Sequence, residues 1–272
     1  MDIVAYLFLG IVAGLLSGLL GIGGGVIIVP LLVMIFDHYH IFVITDIMHV
    51  AVGTSLASIL VTSLSSALAY QRHRALIWPV FLRMLPGLCV GIACGSILVP
   101  YLNHGMLVNL FSIFLICVAI YILCDIQPAA EPEAPLRNHY QLTPRHLMVM
   151  ITTSFLVGVL SPVLGLGGGI LMVPLFLMMR LSIREAAGTS TLCSATSAIM
   201  GTVFLSQISV STVSLPPHTI GYVYWPAALS VGVTSIICAP MGTHLAFHLK
   251  TTVLKRIFAG VLFFSAGYLL QH

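Results

Sequence analysis

The chain has 272 residues, of which 59% are hydrophobic and only 6% charged, with a formal net charge of +3. A soluble domain carries roughly 25% charged residues, and several apolar runs here exceed the ~20 residues that span a bilayer, so a soluble globular fold is excluded. The charged residues sit at the ends of those runs and not in a patch, so the expected surroundings are a lipid bilayer and nucleic acid is not an expected partner.

The first apolar run covers 3–36. Met1-Asp2 lacks the basic segment and small-residue cleavage site of a removable signal, so this run is expected to remain as a first span. Gly10, Gly14 and Gly18 form a small-residue ridge of the kind that packs membrane helices. Gly21-Ile22-Gly23-Gly24-Gly25 follows. Each glycine costs a helix about 1 kcal/mol relative to alanine, so this cluster predicts a break. A straight helix over the whole run would be ~50 Å long, too long for a ~30 Å hydrocarbon core. Pro30 predicts a kink just beyond the break. The next loop, 37–46, holds Asp37, His38, His40 and Asp46 but no Lys or Arg.

The second run, 48–69, opens near Gly53-Thr54-Ser55. Ser55, Ser58, Thr62 and Ser66 recur at helical steps and share one face. Such hydroxyls either line a polar path that hydrogen-bonds an oxyanion or join helices at ~0.6 kcal/mol per contact. Thr54 and Ser55, in the first turn, are candidates for the former; the deeper hydroxyls read as interhelical contacts. Arg72 and Arg74 precede the third run, 78–99, which starts Trp78-Pro79 and contains Arg83. That residue can snorkel to the cytoplasmic interface or attract anions to a cytoplasmic mouth. Gly91 and Gly95 form a second packing ridge, and a fourth run spans 106–124. The segment 125–146 carries Pro128, Pro132, Pro135, Pro144 and five charged residues, the composition of a linker.

Beyond it the chain repeats itself. Ser161 to Leu175 matches Ser17 to Leu31 at an offset of 144 without a gap, with nine of fifteen positions identical. The second break is therefore Gly165-Leu166-Gly167-Gly168-Gly169, followed by Pro174; Pro162 stands where the first copy has Gly18. Gly188-Thr189-Ser190 matches Gly53-Thr54-Ser55, with Ser194 and Ser197 continuing that face, and Trp225-Pro226 matches Trp78-Pro79. The remaining runs are 147–179, 187–207, 219–247 and 253–270. The expected domains are an N-terminal membrane repeat, 1–124, and a C-terminal one, 147–272, joined by the linker 125–146. Six cysteines include no C-x-x-C pair, and the eleven histidines place no metal-spaced pair inside a run, so no metal or other cofactor is expected.

Topology follows from Lys and Arg. Arg72 and Arg74, Arg137 and Arg145, Arg180 and Arg184, and Lys250, Lys255 and Arg256 form four clusters, which the positive-inside rule assigns to the cytoplasm. Counting crossings, this holds only if 3–36 and 147–179 each leave and return to one side. The expected fold is all-α and multi-pass, with two homologous halves of about four helical segments. The halves are inverted repeats with a glycine-broken first segment in each. Eight simple crossings with parallel repeats is the rival, and it puts Arg180 and Arg184 outside.

Glycines at a bend let a ligand approach the backbone closely, and a helix restarting after the bend aims free N–H groups and a partial positive charge at it. Two such ends converging at mid-membrane make a small-anion site without a charged side chain. The candidate binding residues are Gly21, Gly23, Gly24, Gly25, Thr54 and Ser55, with Gly165, Gly167, Gly168, Gly169, Thr189 and Ser190. Arg83 is the candidate for the cytoplasmic mouth.

The doubled G-x-G-G-G-x-x-x-V-P, each followed by a G-T-S segment, resembles the sulfite exporter TauE/SafE family of membrane permeases over essentially the whole chain. The resemblance implies export or permeation of small sulfur-containing anions such as sulfite or organosulfonates, from a plasma (inner) membrane location. No nucleotide-binding P-loop is present, so a secondary transporter is expected. A channel-like facilitator is the alternative, and a homo-oligomer is compatible with either. An integral membrane enzyme would need convergent carboxylates, His or Cys within the spans, and none is expected.

Overall fold

A computed structural model describes residues 2–20, 23–42, 44–123, 144–179, 181–208, 216–246, 260 and 266–269. The N-terminal half contains α1 (Asp2–Leu20), α2 (Gly25–His38), α3 (Ile44–Arg72), α4 (Trp78–Leu98), a 3-10 turn (Val99–Tyr101) and α5 (His104–Leu123). The C-terminal half contains α6 (Pro144–Leu164), α7 (Gly169–Met178), α8 (Ile183–Ser206), a hairpin of β1 (Thr219–Ile220) and β2 (Val223–Tyr224), and α9 (Trp225–Ala246). Most of the linker and of the final apolar run lies outside the described residues, as do Gly21, Arg137, Arg180, Lys250, Lys255 and Arg256. Among the described residues, Asp46–Arg72, Trp78–Tyr101, Leu147–Leu164 and Trp225–Leu245 are long and apolar enough to cross a membrane. The protein is an all-helical, multi-pass membrane protein, with one small hairpin among the described residues.

Each half hands its first helix to the other. α1 packs along α9, and α6 along α4. The reason is in the ridges: Gly10, Gly14 and Gly18 lie against Val231, Ser235 and Ala239, and Gly87, Gly91 and Gly95 against Ile151, Phe155 and Val159. Rising numbers meet rising numbers, so both pairs run parallel. Without side chains at these positions the backbones come close enough for dispersion to hold the pair in lipid, where the hydrophobic effect between helices is absent. Ser235 Oγ donates to the Gly10 carbonyl at 3.1 Å and reinforces the first pair.

The core is the pair α3 and α8. Gly201 meets Leu56, whereas Gly188 meets the Ala75 carbonyl beyond the far end of α3, so the two helices run antiparallel. Ser182 starts α8 with a capping box: its hydroxyl accepts from the Glu185 N–H and the Glu185 carboxylate accepts from the Ser182 N–H at 3.0 Å. Outward faces of the other helices carry Phe8 and Ile11, Leu82 and Val90, Ile113 and Ile120, and Val233 and Ile237, an apolar girdle suited to lipid tails.

One expectation is corrected in detail. The apolar run from 219 does not begin as helix, because Gly221 at φ 56° turns Thr219–Ile220 back on Val223–Tyr224 as an antiparallel ladder. This hairpin lies over the start of α3, with Gly53 set against the Tyr222 carbonyl.

Candidate functional site

The two glycine clusters are where the helices stop. α1 runs inward as far as Gly18, whose carbonyl accepts the Tyr70 hydroxyl at 2.9 Å. The chain then turns back so that Gly23 lies against Ile59, in the middle of α3. Gly24 at φ 82° and Gly168 at φ 76° are the residues from which α2 and α7 restart, in a left-handed conformation that costs a residue with a Cβ.

The bends touch. A methyl group on Gly25 would fall 2.5 Å from the Gly165 carbonyl oxygen and 2.8 Å from Leu166 Cα. Gly23 and Gly167 both face the same two side chains, Ile59 of α3 and Ser194 of α8. Those two residues occupy equivalent positions in the repeat, so one wall of the meeting point is aliphatic and the other carries a hydroxyl.

The polar balance at this point is one-sided. The carbonyl end of α6 is satisfied: Leu166 N–H returns to the Ser161 carbonyl at 3.1 Å, and Ser55 Oγ donates to the Gly165 carbonyl at 2.8 Å. The starts of α2 and α7 have no side-chain cap, although Gly25, Val26, Gly169 and Ile170 are buried. Helix starts are ordinarily capped by Ser, Thr, Asp or Asn, at a gain of about 0.5–2 kcal/mol. Around them, Ser17, Ser161, Ser194 and Ser197 are fully buried and their hydroxyls have no partner. Ser194 Oγ lies 3.1 Å from the Cβ position of Gly23, and Ser197 and Ser161 Oγ lie 3.3 and 3.5 Å from that of Gly168. Buried hydroxyls are nearly always bonded. Four unbonded ones beside two uncapped helix starts form a donor-rich, uncharged cradle.

The structure sorts the sequence candidates. Gly23, Gly24, Gly25, Gly165, Gly167, Gly168 and Gly169 come together, with Ser55 bonded to the second bend. Thr54 and Thr189 stand back from it in equivalent roles: Thr54 Oγ1 accepts from Tyr224 N–H at 3.0 Å and Thr189 Oγ1 from Ile77 N–H at 3.1 Å. Each threonine thus anchors the residue that precedes a long helix, α9 or α4. Ser190 Oγ donates to the Ala187 carbonyl at 2.8 Å. Arg83 is half-buried on α4, and Gly95, the α4 residue level with the end of α6, lies twelve residues further, roughly 18 Å of helix rise away. The residues that sequence reasoning left off the site are Ser17, Ser161, Ser194 and Ser197. Ser194 and Ser197 were legible as part of a hydroxyl face, and Ser17 and Ser161 as a repeated position, but nothing in the sequence marks them as unbonded.

The threonine anchors give a direct expectation. Thr54→Val and Thr189→Val each leave a backbone N–H without its acceptor, a loss of about 1–3 kcal/mol. Both variants should lower the midpoint of thermal unfolding in detergent by similar amounts, and a change in one alone would contradict the equivalence.

Comparisons with known proteins agree with this architecture. No solved structure matches the chain. Three curated relatives are probable membrane transporter proteins. That of Haemophilus influenzae is 27% identical over 93% of this chain and 92% of its own. That of Methanocaldococcus jannaschii is 28% identical over 86% and 80%, and YunE of Bacillus subtilis is 29% identical over 96% and 95%. The family model described as sulfite exporter TauE/SafE matches residues 6–269. Covering nearly the whole chain, both glycine bends included, that match places the protein in the sulfite exporter TauE/SafE family of membrane transporters.

Proposed function

We propose that the protein is a secondary transporter of small sulfur-containing anions, sulfite or organosulfonates, across the plasma membrane, with its binding site at the two glycine bends. The observation that carries this reading is the meeting of two uncapped, buried helix starts with four unbonded serine hydroxyls. N–H groups and partial positive charge from α2 and α7 would hold the negative charge. The hydroxyls would donate to its oxygens. The antiparallel setting of the equivalent helices α3 and α8 supports inverted repeats, 1–124 and 147–272 joined by 125–146, about an axis in the membrane plane. Contact of Gly25 with Gly165 and Leu166 closes the centre and favours alternating access over a standing pore.

Two experiments test this. Purified protein in vesicles at fixed membrane potential is offered sulfite, thiosulfate, sulfate and a taurine-like sulfonate. Saturable flux with counterflow is expected for at least one sulfur anion; non-saturating flux would indicate a channel, and none at all would defeat the reading. For topology, single cysteines at Arg74 and Arg184 should be labelled from one side and a cysteine at His40 from the other. The first two lie at one end of the bundle, since the Ala75 carbonyl meets Gly188 and Ile77 N–H reaches Thr189. Opposite labelling of 74 and 184 would restore the parallel-repeat arrangement.

A further inference from the structure

At the opposite end of α3 from Arg72 lies a group of titratable side chains that the anion site does not use. His49 is 7% exposed. Its Nε2 lies 2.9 Å from the Leu102 carbonyl oxygen. A carbonyl only accepts, so Nε2 carries the proton of the neutral ring, and Nδ1 is left as a buried lone pair without a partner. The titratable groups around it are Asp46 on the same helix one turn earlier, His104 at the start of α5, and Tyr222 in the hairpin. His104 interacts electrostatically with both His49 and Asp46, and its own Nδ1 is buried and unbonded. The Tyr222 ring stacks on His49 at 5.1 Å and 28°. Burial, and then the Asp46 charge, push the Tyr222 phenol up, so it stays neutral beside the imidazole.

We propose that His49, flanked by His104 and Asp46, is a proton-binding site on the outer gate, and that its protonation is coupled to passage of the anion. A proton from the outer solution would bond to His49 Nδ1, and Asp46 would supply the counter-charge. Two neighbouring imidazoliums repel, so the pair takes one proton before a second. The connection to the site is short. Tyr222 stacks on His49, its carbonyl sits against Gly53, and the hairpin then anchors to Thr54 through Tyr224 N–H at 3.0 Å. Ser55, the next residue, donates to the Gly165 carbonyl of the second bend. A charge arriving at His49 therefore bears on one continuous clasp from the hairpin to the glycines. The other end of the bundle is built differently. The repeat places Arg184 opposite His49 and Ala75 opposite Tyr222, a permanent and exposed cation with no ring to stack on.

The test is a histidine titration of the purified full chain carrying 15N-labelled histidine. The His49 signal, identified by its absence in His49→Gln, should shift as the outer solution is acidified. Its midpoint should rise in His104→Gln, which removes a like charge, and fall in Asp46→Asn, which removes the counter-charge. Glutamine at 49 keeps a donor for the Leu102 carbonyl, and the half-buried position 104 carries the test if the 49 variant does not fold. In vesicles loaded with a pH-sensitive dye, thiosulfate moving down its gradient should change internal pH in the native protein and roughly tenfold less in His49→Gln. A His49 signal that does not respond to acidification, or a midpoint indifferent to both neighbours, overturns the site. Equal dye responses overturn the coupling. Failure of thiosulfate to move in either protein counts against the substrate reading alone, and the titration then decides the proton site.

Discussion

Gly25→Ala is expected to reduce anion flux roughly a hundredfold while the protein still inserts in the membrane, because displacing binding groups by about 1 Å is enough for a loss of that size. The added methyl would meet the Gly165 carbonyl oxygen at 2.5 Å, Ile59 Cδ1 at 2.7 Å and Leu166 Cα at 2.8 Å. The isoleucine can rotate aside, but two of the three contacts are backbone of the opposite bend. The bends must therefore separate, and the cradle opens. Gly24→Ala and Gly168→Ala act differently. Neither meets backbone or side chain closer than 3.2 Å, so their cost is the left-handed φ, about 1–3 kcal/mol of local strain. They should weaken transport less than Gly25→Ala does. Gly14→Ala, on the packing ridge, would meet Ser235 Cα at 2.9 Å and should lower stability before affinity. Gly105→Ala has open space around it and serves as the silent control. Flux, with thermal unfolding of the same preparations, checks the series. Normal flux in Gly25→Ala, Gly24→Ala and Gly168→Ala would show that the glycines only shape the helices.

The second large effect is expected at the unbonded hydroxyls. Removing a buried hydroxyl that already has a partner destabilises a protein by leaving that partner unsatisfied, whereas removing one that has none does not. Ser194→Ala and Ser197→Ala should therefore leave the midpoint of thermal unfolding unchanged or raised in the absence of anion. Each should raise the half-saturating anion concentration by roughly tenfold, the equivalent of one lost hydrogen bond of about 1.4 kcal/mol. Ser55→Ala removes the bond to the Gly165 carbonyl and should destabilise the empty protein as well. If Ser194→Ala lowers stability and leaves the concentration dependence alone, the hydroxyl belongs to packing, and the cradle loses its polar wall.

The separation between these serines marks the limit of what residue types reveal. Ser55, Ser58, Thr62 and Ser66 look alike in the sequence, each three or four residues from the next. Ser58 and Thr62 turn back on the carbonyls of Thr54 and Ser58 at 2.9 Å and are spent within their own helix. Ser55 finds its partner 110 residues away. Thr54 anchors Tyr224 across 170 residues, a structural assignment that its place in the first turn of a hydroxyl face does not suggest. A hydroxyl's role depends on which carbonyl or N–H the fold brings to it. That information is non-local.

What the sequence determined by itself is the membrane setting, the duplication, the two breaks and the faces that pack. Each follows from a local property: too few charges to face water, glycine clusters that interrupt a helix, and small residues at helical spacing. The tertiary structure alone decided who meets whom. The ridge of Gly10, Gly14 and Gly18 announces a close partner, but any smooth helix would satisfy it, and only the assembled bundle makes that partner α9 of the other half. The same exchange, made twice, turns α3 and α8 antiparallel and draws the glycine bends together between Ile59 and Ser194. A break in one helix exposes backbone N–H groups that lipid cannot satisfy, so it persists only where protein or ligand covers it. Here each break is covered by the other, which is why the cradle of glycines and serines forms only in the folded pair.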